Sequence, residues 1–144
     1  MFVSQILSIK GSDVVDVKRD VTLAEASDIL TRHNIGAVLI LDSSGAPAGI
    51  LSERDIVRAI AKHGPEILSK EVNYCMTSPV AACEEEDALE DVAELMTRRH
   101  FRHLPVVKKG RVIGLISIGD VVKSQIEEAM REAEALKEYI AASS

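Results

Sequence analysis

Apolar residues recur along this chain in two alternating rhythms. Leu23, Ala26, Ile29 and Leu30 fall at the spacing of one helix face, and the pattern predicts a helix over residues 23–33. Leu89, Val92, Ala93 and Met96 repeat that spacing and predict a second helix over residues 88–99. After each helix come paired short apolar runs, 37–41 with 48–51 and 104–107 with 112–116. Ser43-Ser44-Gly45 and Lys108-Lys109-Gly110 lie between the members of each pair, so both pairs read as hairpins. A short strand is expected before each helix, at 14–17 and 80–83. Another helix should follow each hairpin, starting at Ser52 and Ser117. Each unit then has the order β-α-β-β-α.

The two units are copies. Gly49-Ile50-Leu51-Ser52-Glu53-Arg54-Asp55 and Gly114-Leu115-Ile116-Ser117-Ile118-Gly119-Asp120 share Gly, two apolar residues, Ser, two variable residues and Asp, 65 positions apart. The helix pattern starting at Leu23 returns at Leu89, 66 positions on. A turn one residue longer in the first hairpin accounts for the difference. Such a change is cheap in a turn, whereas in a strand it would flip side chains to the wrong face. A linker over 63–79 carries the breakers Gly64-Pro65 and Ser78-Pro79. One unit of about 60 residues is marginal alone. Two packed about a pseudo-two-fold axis would share a core and create two related clefts. The expected fold is therefore mixed α/β (α+β). The expected division is a first repeat over 1–63, a linker over 64–78, a second repeat over 79–124 and a helical extension over 125–144. That last helix should run from Ile118 to about Ala142. Val122, Ile126, Ala129, Ala133, Leu136 and Ile140 form one stripe along it, expected to lie on its own domain or to pair with another chain.

Composition narrows the chemistry. With 47% apolar residues, 3% aromatics and no Trp, the core must be aliphatic. A formal charge of −6 disfavours nucleic acid and acidic lipid, so an anionic ligand needs a local basic patch. No window approaches the roughly 18 apolar residues of a membrane span. The first residues lack the pattern of a secretory signal. The only cysteines, Cys75 and Cys83, form no CxxC pair, which points to free thiols in a reducing cytoplasm.

The duplicated Gly-x-x-Ser-x-x-Asp has two readings. Ser at the N-cap with Asp three residues on is a capping box needing no ligand. The same helix start can hold a phosphate, its serine can bond phosphate or sugar, and its carboxylate can accept from a ribose diol. Gly49 and Gly114 would permit close backbone approach.

With Ile35-Gly36-Ala37-Val38-Leu39-Ile40-Leu41-Asp42, Cys75-Met76-Thr77-Ser78-Pro79-Val80 and His103-Leu104-Pro105-Val106-Val107 added to the two motifs, the chain resembles a tandem CBS-domain protein from about Gln5 to Val122. The family takes its name from the regulatory region of cystathionine β-synthase. The first repeat departs from the pattern in lacking the strand proline, which leaves the two sites free to differ in ligand. The resemblance implies a regulatory module that catalyses nothing. It would bind AMP first, then NAD(H), ADP or ATP, and S-adenosylmethionine last. It implies that Ser52, Arg54 and Asp55 face Thr77, Val80, Phe101, Arg102 and His103 across one cleft. In the other, Ser117 and Asp120 would face Ser12, Val14, Ile35, Gly36 and Ala37. It also implies a disc-like homodimer and an effector partner of unknown identity. The rival reading is a ligand-free dimeric scaffold in which the serines and aspartates only cap helices.

Arg98-Arg99-His100-Phe101-Arg102-His103 is the sharpest basic run. Arg98 and Arg99 suit a helix C-terminus, while Arg102 and His103 abut the expected pocket. One such run on an acidic chain does not make a nucleic-acid surface. His100 and His103 could share a helix face, but no third ligand stands near them, so no metal site is expected. No nucleophile–base set, P-loop or Gly-x-Gly-x-x-Gly is present, so no catalytic residue is assigned.

Overall fold

In the computed structural model, which describes residues 1–143, the chain opens on a helix, α1 (Val3–Lys10). Next come β1 (Asp16–Val17), α2 (Leu23–His33), β2 (Ala37–Leu41), β3 (Pro47–Ser52) and α3 (Glu53–His63). Two 3-10 turns, Pro65–Ser69 and Val72–Tyr74, occupy the linker. The second half runs α4 (Leu89–Arg99), β4 (His103–Lys108), β5 (Arg111–Ser117) and α5 (Ile118–Ser143).

The predicted helices and hairpins are present. Thr22 starts α2 by accepting the Glu25 N–H at 3.1 Å. Asn34 and His100 end α2 and α4 in the left-handed conformation that Asn and His enter more readily than most residues. The hairpins match in register: Ile40 lies opposite Gly49 and Val106 opposite Gly114, with an irregularity just beyond each pair. Asp42 receives the Ser44 hydroxyl and the Ser44 and Ala46 N–H groups in the first turn, which accommodates the extra residue there.

The expected strand over 80–83 does not form. Its counterpart β1 pairs with β2 in parallel, with Leu39 N–H donating to Val15 O at 3.1 Å. The residue equivalent to Leu39 is Pro105, which has no N–H to give to Ala81. Only a bridge between Cys83 and Val106 remains, so the sheets have three strands and two.

Helix α1 was not foreseen, and it belongs to the other half. Val3, Ile6 and Leu7 pack with Cys83, Leu89, Val92, Met96, Leu104, Val106, Ile116 and Val121. The linker turns do the reverse, placing Val72, Ile67, Leu68 and Met76 against the first half's Leu23, Leu30, Val38, Ile40 and Leu51. The exchange is symmetric: Leu23 N–H donates to Lys70 O, and Leu89 N–H donates to Met1 O. Each fully buried aliphatic side chain contributes about 1.5–3 kcal/mol, so each lead-in segment is a substantial part of the opposite core. Gly49 and Gly114 make this possible. A Cβ on Gly49 would strike Met76 and one on Gly114 would strike Leu7. The space these glycines leave is filled by the lead-ins and not by open cleft.

Helix α5 outruns its domain. Val121 and Ser124 are buried near its start, but Val122, Ile126, Met130, Leu136, Tyr139 and Ile140 are exposed. Of the two expectations for the stripe, lying across its own domain does not occur among the described residues.

Candidate functional site: two clefts between the repeats

The pseudo-symmetry produces two clefts, each with the helix start of one repeat on one wall and the strand entrance of the other repeat opposite. The first has a volume of about 350 Å³. Its lining includes Ser52, Arg54, Asp55 and Arg58 from the β3–α3 junction, Thr77 from the linker, and 99–103 from the α4–β4 junction. The second, about 260 Å³, is lined by Lys10, Asp13, Val14, Val15, Ile35, Gly36, Ala37, His103, Leu115 and Ser117. Gly36 and His103 border both.

Both Ser-x-x-Asp motifs are closed capping boxes. Asp55 N–H donates to Ser52 Oγ at 3.3 Å, and Asp55 Oδ2 accepts the Ser52 N–H at 2.9 Å. At the second motif the distances are 3.1 and 2.8 Å. The backbone entrance is also conserved between halves: Glu53 N–H donates to Gly36 O, and Ile118 N–H to Arg102 O. Capping consumes one carboxylate oxygen of each Asp and leaves the other for further partners.

What each carboxylate meets beyond its cap differs. Asp55 Oδ1 meets the Thr77 hydroxyl at 3.5 Å, too long to satisfy a carboxylate. Thr77 is held by paired backbone hydrogen bonds with Ile50. In the second cleft the ammonium of Lys10 approaches the carboxylate instead, on the same Oδ2 that accepts the capping Ser117 N–H. It donates to Asp120 Oδ2 at 2.6 Å and to the carbonyl of Leu115, the counterpart of Ile50, at 2.8 Å. Burial raises the Asp120 pKa, but the Lys10 and Ser117 hydrogen bonds outweigh it and hold the group below the usual carboxylate range. Burial, and then the nearby Lys10 charge, depress the pKa of His103, with Asp120 and Glu53 opposing.

Of the residues expected in the first cleft, Ser52, Arg54, Asp55, Thr77, Phe101, Arg102 and His103 come together. Val80 lies half-buried further along the chain and does not line it. In the second, Val14, Ile35, Gly36, Ala37 and Ser117 line the cleft, and Asp120 is tied to Lys10 at its edge. Ser12 is exposed and outside it. Arg58, Arg99, His100 and Lys10 were missed. The i+3 histidines do not share a helix, since α4 ends at Arg99 and His103 begins β4. Among the described residues no group of three or more His, Cys, Asp or Glu side chains is placed to hold a metal, and no helix is long and apolar enough to cross a membrane. Cys83 is buried, which together with Asp87 pushes its thiol up to about 12.

The CBS domain model matches residues 3–62 and 70–127. A 17.7 kDa protein of Acidianus ambivalens is 35% identical over 87% of this chain and 73% of its own length. The crystal structure of the CBS-domain protein ATU1752 from Agrobacterium tumefaciens is 44% identical, covers 87% of this chain and 99% of that one, and superposes with a TM-score of 0.84. Two further structures carry ligands. The CBS domain pair of protein MJ0100, in complex with 5′-methylthioadenosine and S-adenosyl-L-methionine, is 27% identical over 89% of this chain and 98% of that one, with a TM-score of 0.76. PAE2072 from Pyrobaculum aerophilum, complexed with AMP, is 28% identical over 83% and 89%, with a TM-score of 0.73.

Proposed function

The chain belongs to the CBS domain family, and we propose that it is a non-catalytic regulatory module that binds an adenosine-containing nucleotide between its repeats. The observation that carries this is the first cleft. One cavity collects a capped helix start, an Asp55 oxygen without a close partner, and the 101–103 strand entrance of the opposite repeat. The Asp55 carboxylate would accept from the ribose diol, and aliphatic and backbone groups would hold the base. The adenosine ligands of MJ0100 and PAE2072 support the ligand class. AMP, ADP, ATP and NAD(H) are the candidates, with S-adenosylmethionine behind them. Occupancy would shift the population of module conformations, to be read by a partner protein or through assembly. We place the protein in the cytoplasm, in keeping with its two free cysteines.

The module would act as a homodimer through α5. Val122, Ile126, Ala129, Ala133, Leu136 and Ile140 follow steps of 4, 3, 4, 3 and 4, the seam of a two-stranded coiled coil. In a parallel pair this register sets Glu132 beside Lys137 of the second copy, twice; an antiparallel pair would oppose like charges instead.

The test is thermal unfolding against AMP, ADP, ATP, NAD⁺, NADH and S-adenosylmethionine, with GMP as control. A ligand that binds only the folded state raises the midpoint. A shift with adenosine ligands, abolished by Asp55→Ala, supports the reading. No shift with any of them sinks it in favour of the capping-only scaffold, which the Lys10–Asp120 pair already favours for the second cleft.

A further inference from the structure

Four of the residues lining the first cleft are arginines: Arg54, Arg58, Arg99 and Arg102. Arg54 and Arg58 stand one turn apart on α3, Arg99 ends α4, and Arg102 precedes β4. Among the described residues none of the four is in an ion pair. Arg99 lies over the Phe101 ring, 5.2 Å from its centroid, which holds the guanidinium without neutralising it. The cleft's two acids, Glu53 and Asp55, are outnumbered by the four arginines. The cavity also continues outward into a groove lined by Glu53, Arg54, Val57 and Arg58. The equivalent positions around the second cleft are Gly119, Lys123, His33 and Gly36. A chain of net charge −6 has therefore gathered an excess of arginines over acids at one cleft and not at its twin.

We infer that the first cleft is built for an adenosine di- or triphosphate, with the phosphate chain running from the α3 start over Arg54 and Arg58 into the outer groove. A monophosphate carries about −1.5 to −2 charges and cannot reach every cation. Longer phosphate chains add charge where the groove lies and meet the arginine forks, which match phosphate geometry. S-adenosylmethionine carries a sulfonium cation and is repelled. This inference rests on the adenosine reading of the cleft and specifies its ligand.

Calorimetric titration of the full chain with adenosine, AMP, ADP, ATP, S-adenosylmethionine and GTP tests it. The expected result is a rise in affinity from AMP to ATP of at least tenfold, weakening as salt is added. Arg58→Ala should erase most of that ratio; Arg58 is exposed, so the variant folds. ATP binding no tighter than AMP, or S-adenosylmethionine binding tightest, overturns the inference and leaves the adenosine reading standing. GTP binding as tightly as ATP upholds the phosphate contacts and overturns the adenosine reading. Binding of none of the six overturns both.

Discussion

The two clefts share a backbone plan and differ in what their side chains leave open. In the first, Asp55 faces the neutral Thr77 hydroxyl; in the second, Asp120 is paired with Lys10. The first has Phe101-Arg102-His103 at its strand entrance, the second Ile35-Gly36-Ala37. Duplication thus preserved the caps, which stability needs in both halves, while the cleft-facing positions diverged. A helix cap alone does not reveal a binding site. What the carboxylate meets beyond its cap distinguishes the two: a neutral hydroxyl at Asp55, an ammonium at Asp120.

Asp55→Ala should have the largest effect on this asymmetry. It should abolish the thermal shift given by adenosine nucleotides and cost about 0.5–2 kcal/mol of stability through the lost cap. If Asp120→Ala abolishes the shift and Asp55→Ala does not, the two clefts have been assigned the wrong way round. Gly49→Ala and Gly114→Ala probe the part the halves share. Each should destabilise by about 1–3 kcal/mol in denaturant titrations, since Met76 or Leu7 must move. Gly49→Ala should cost less, because methionine adapts more readily. A neutral result at both would mean the lead-ins are not tightly seated.

Lys10→Met should change the second cleft alone. With Asp120 released, titration with ADP should show a weak second equivalent, several-fold tighter than in the parent protein. Loss of second-cleft binding would instead make Lys10 a ligand contact. The smallest effect concerns pH. His103 has a folded pKa below its ordinary 6.5, so the unfolded chain takes up the proton first as pH falls. Its neutral form stabilises fully above that value, and stability should decline below it until the folded pKa is reached. The Asp120 contribution is lost only below its own ordinary 3.8. Unfolding midpoints between pH 7 and 5 should therefore flatten in His103→Gln; an unchanged slope would remove His103 from the account.

The sequence shows whatever depends on near neighbours. The periodicity of Leu23, Ala26 and Leu30 located α2, and Ser52 with Asp55 located the start of α3, because helix faces and caps are local. The missing second strand needed a comparison between Pro105 and a partner more than 20 positions away. Lys10 was hidden more deeply, 110 positions from Asp120. Counting back one repeat length from Thr77 arrives at Ser12. The lead-ins do not repeat, since one forms a helix and the other 3-10 turns, so equal counts do not reach equal places. Arg58 and Arg99 were legible only as solvated helix charges until α3 and α4 converged on one cavity.

The crossed lead-ins also bear on ancestry. A single ancestral repeat would have presented its own lead-in segment with no socket to fill and a socket with nothing to fill it. Two such molecules could satisfy both needs by trading segments across a two-fold axis. Joining them end to end keeps that trade intact, and this chain has the form of such a swapped dimer fused into one polypeptide. Separating its halves at the linker would then give two fragments that recognise each other, each carrying the missing piece of the other.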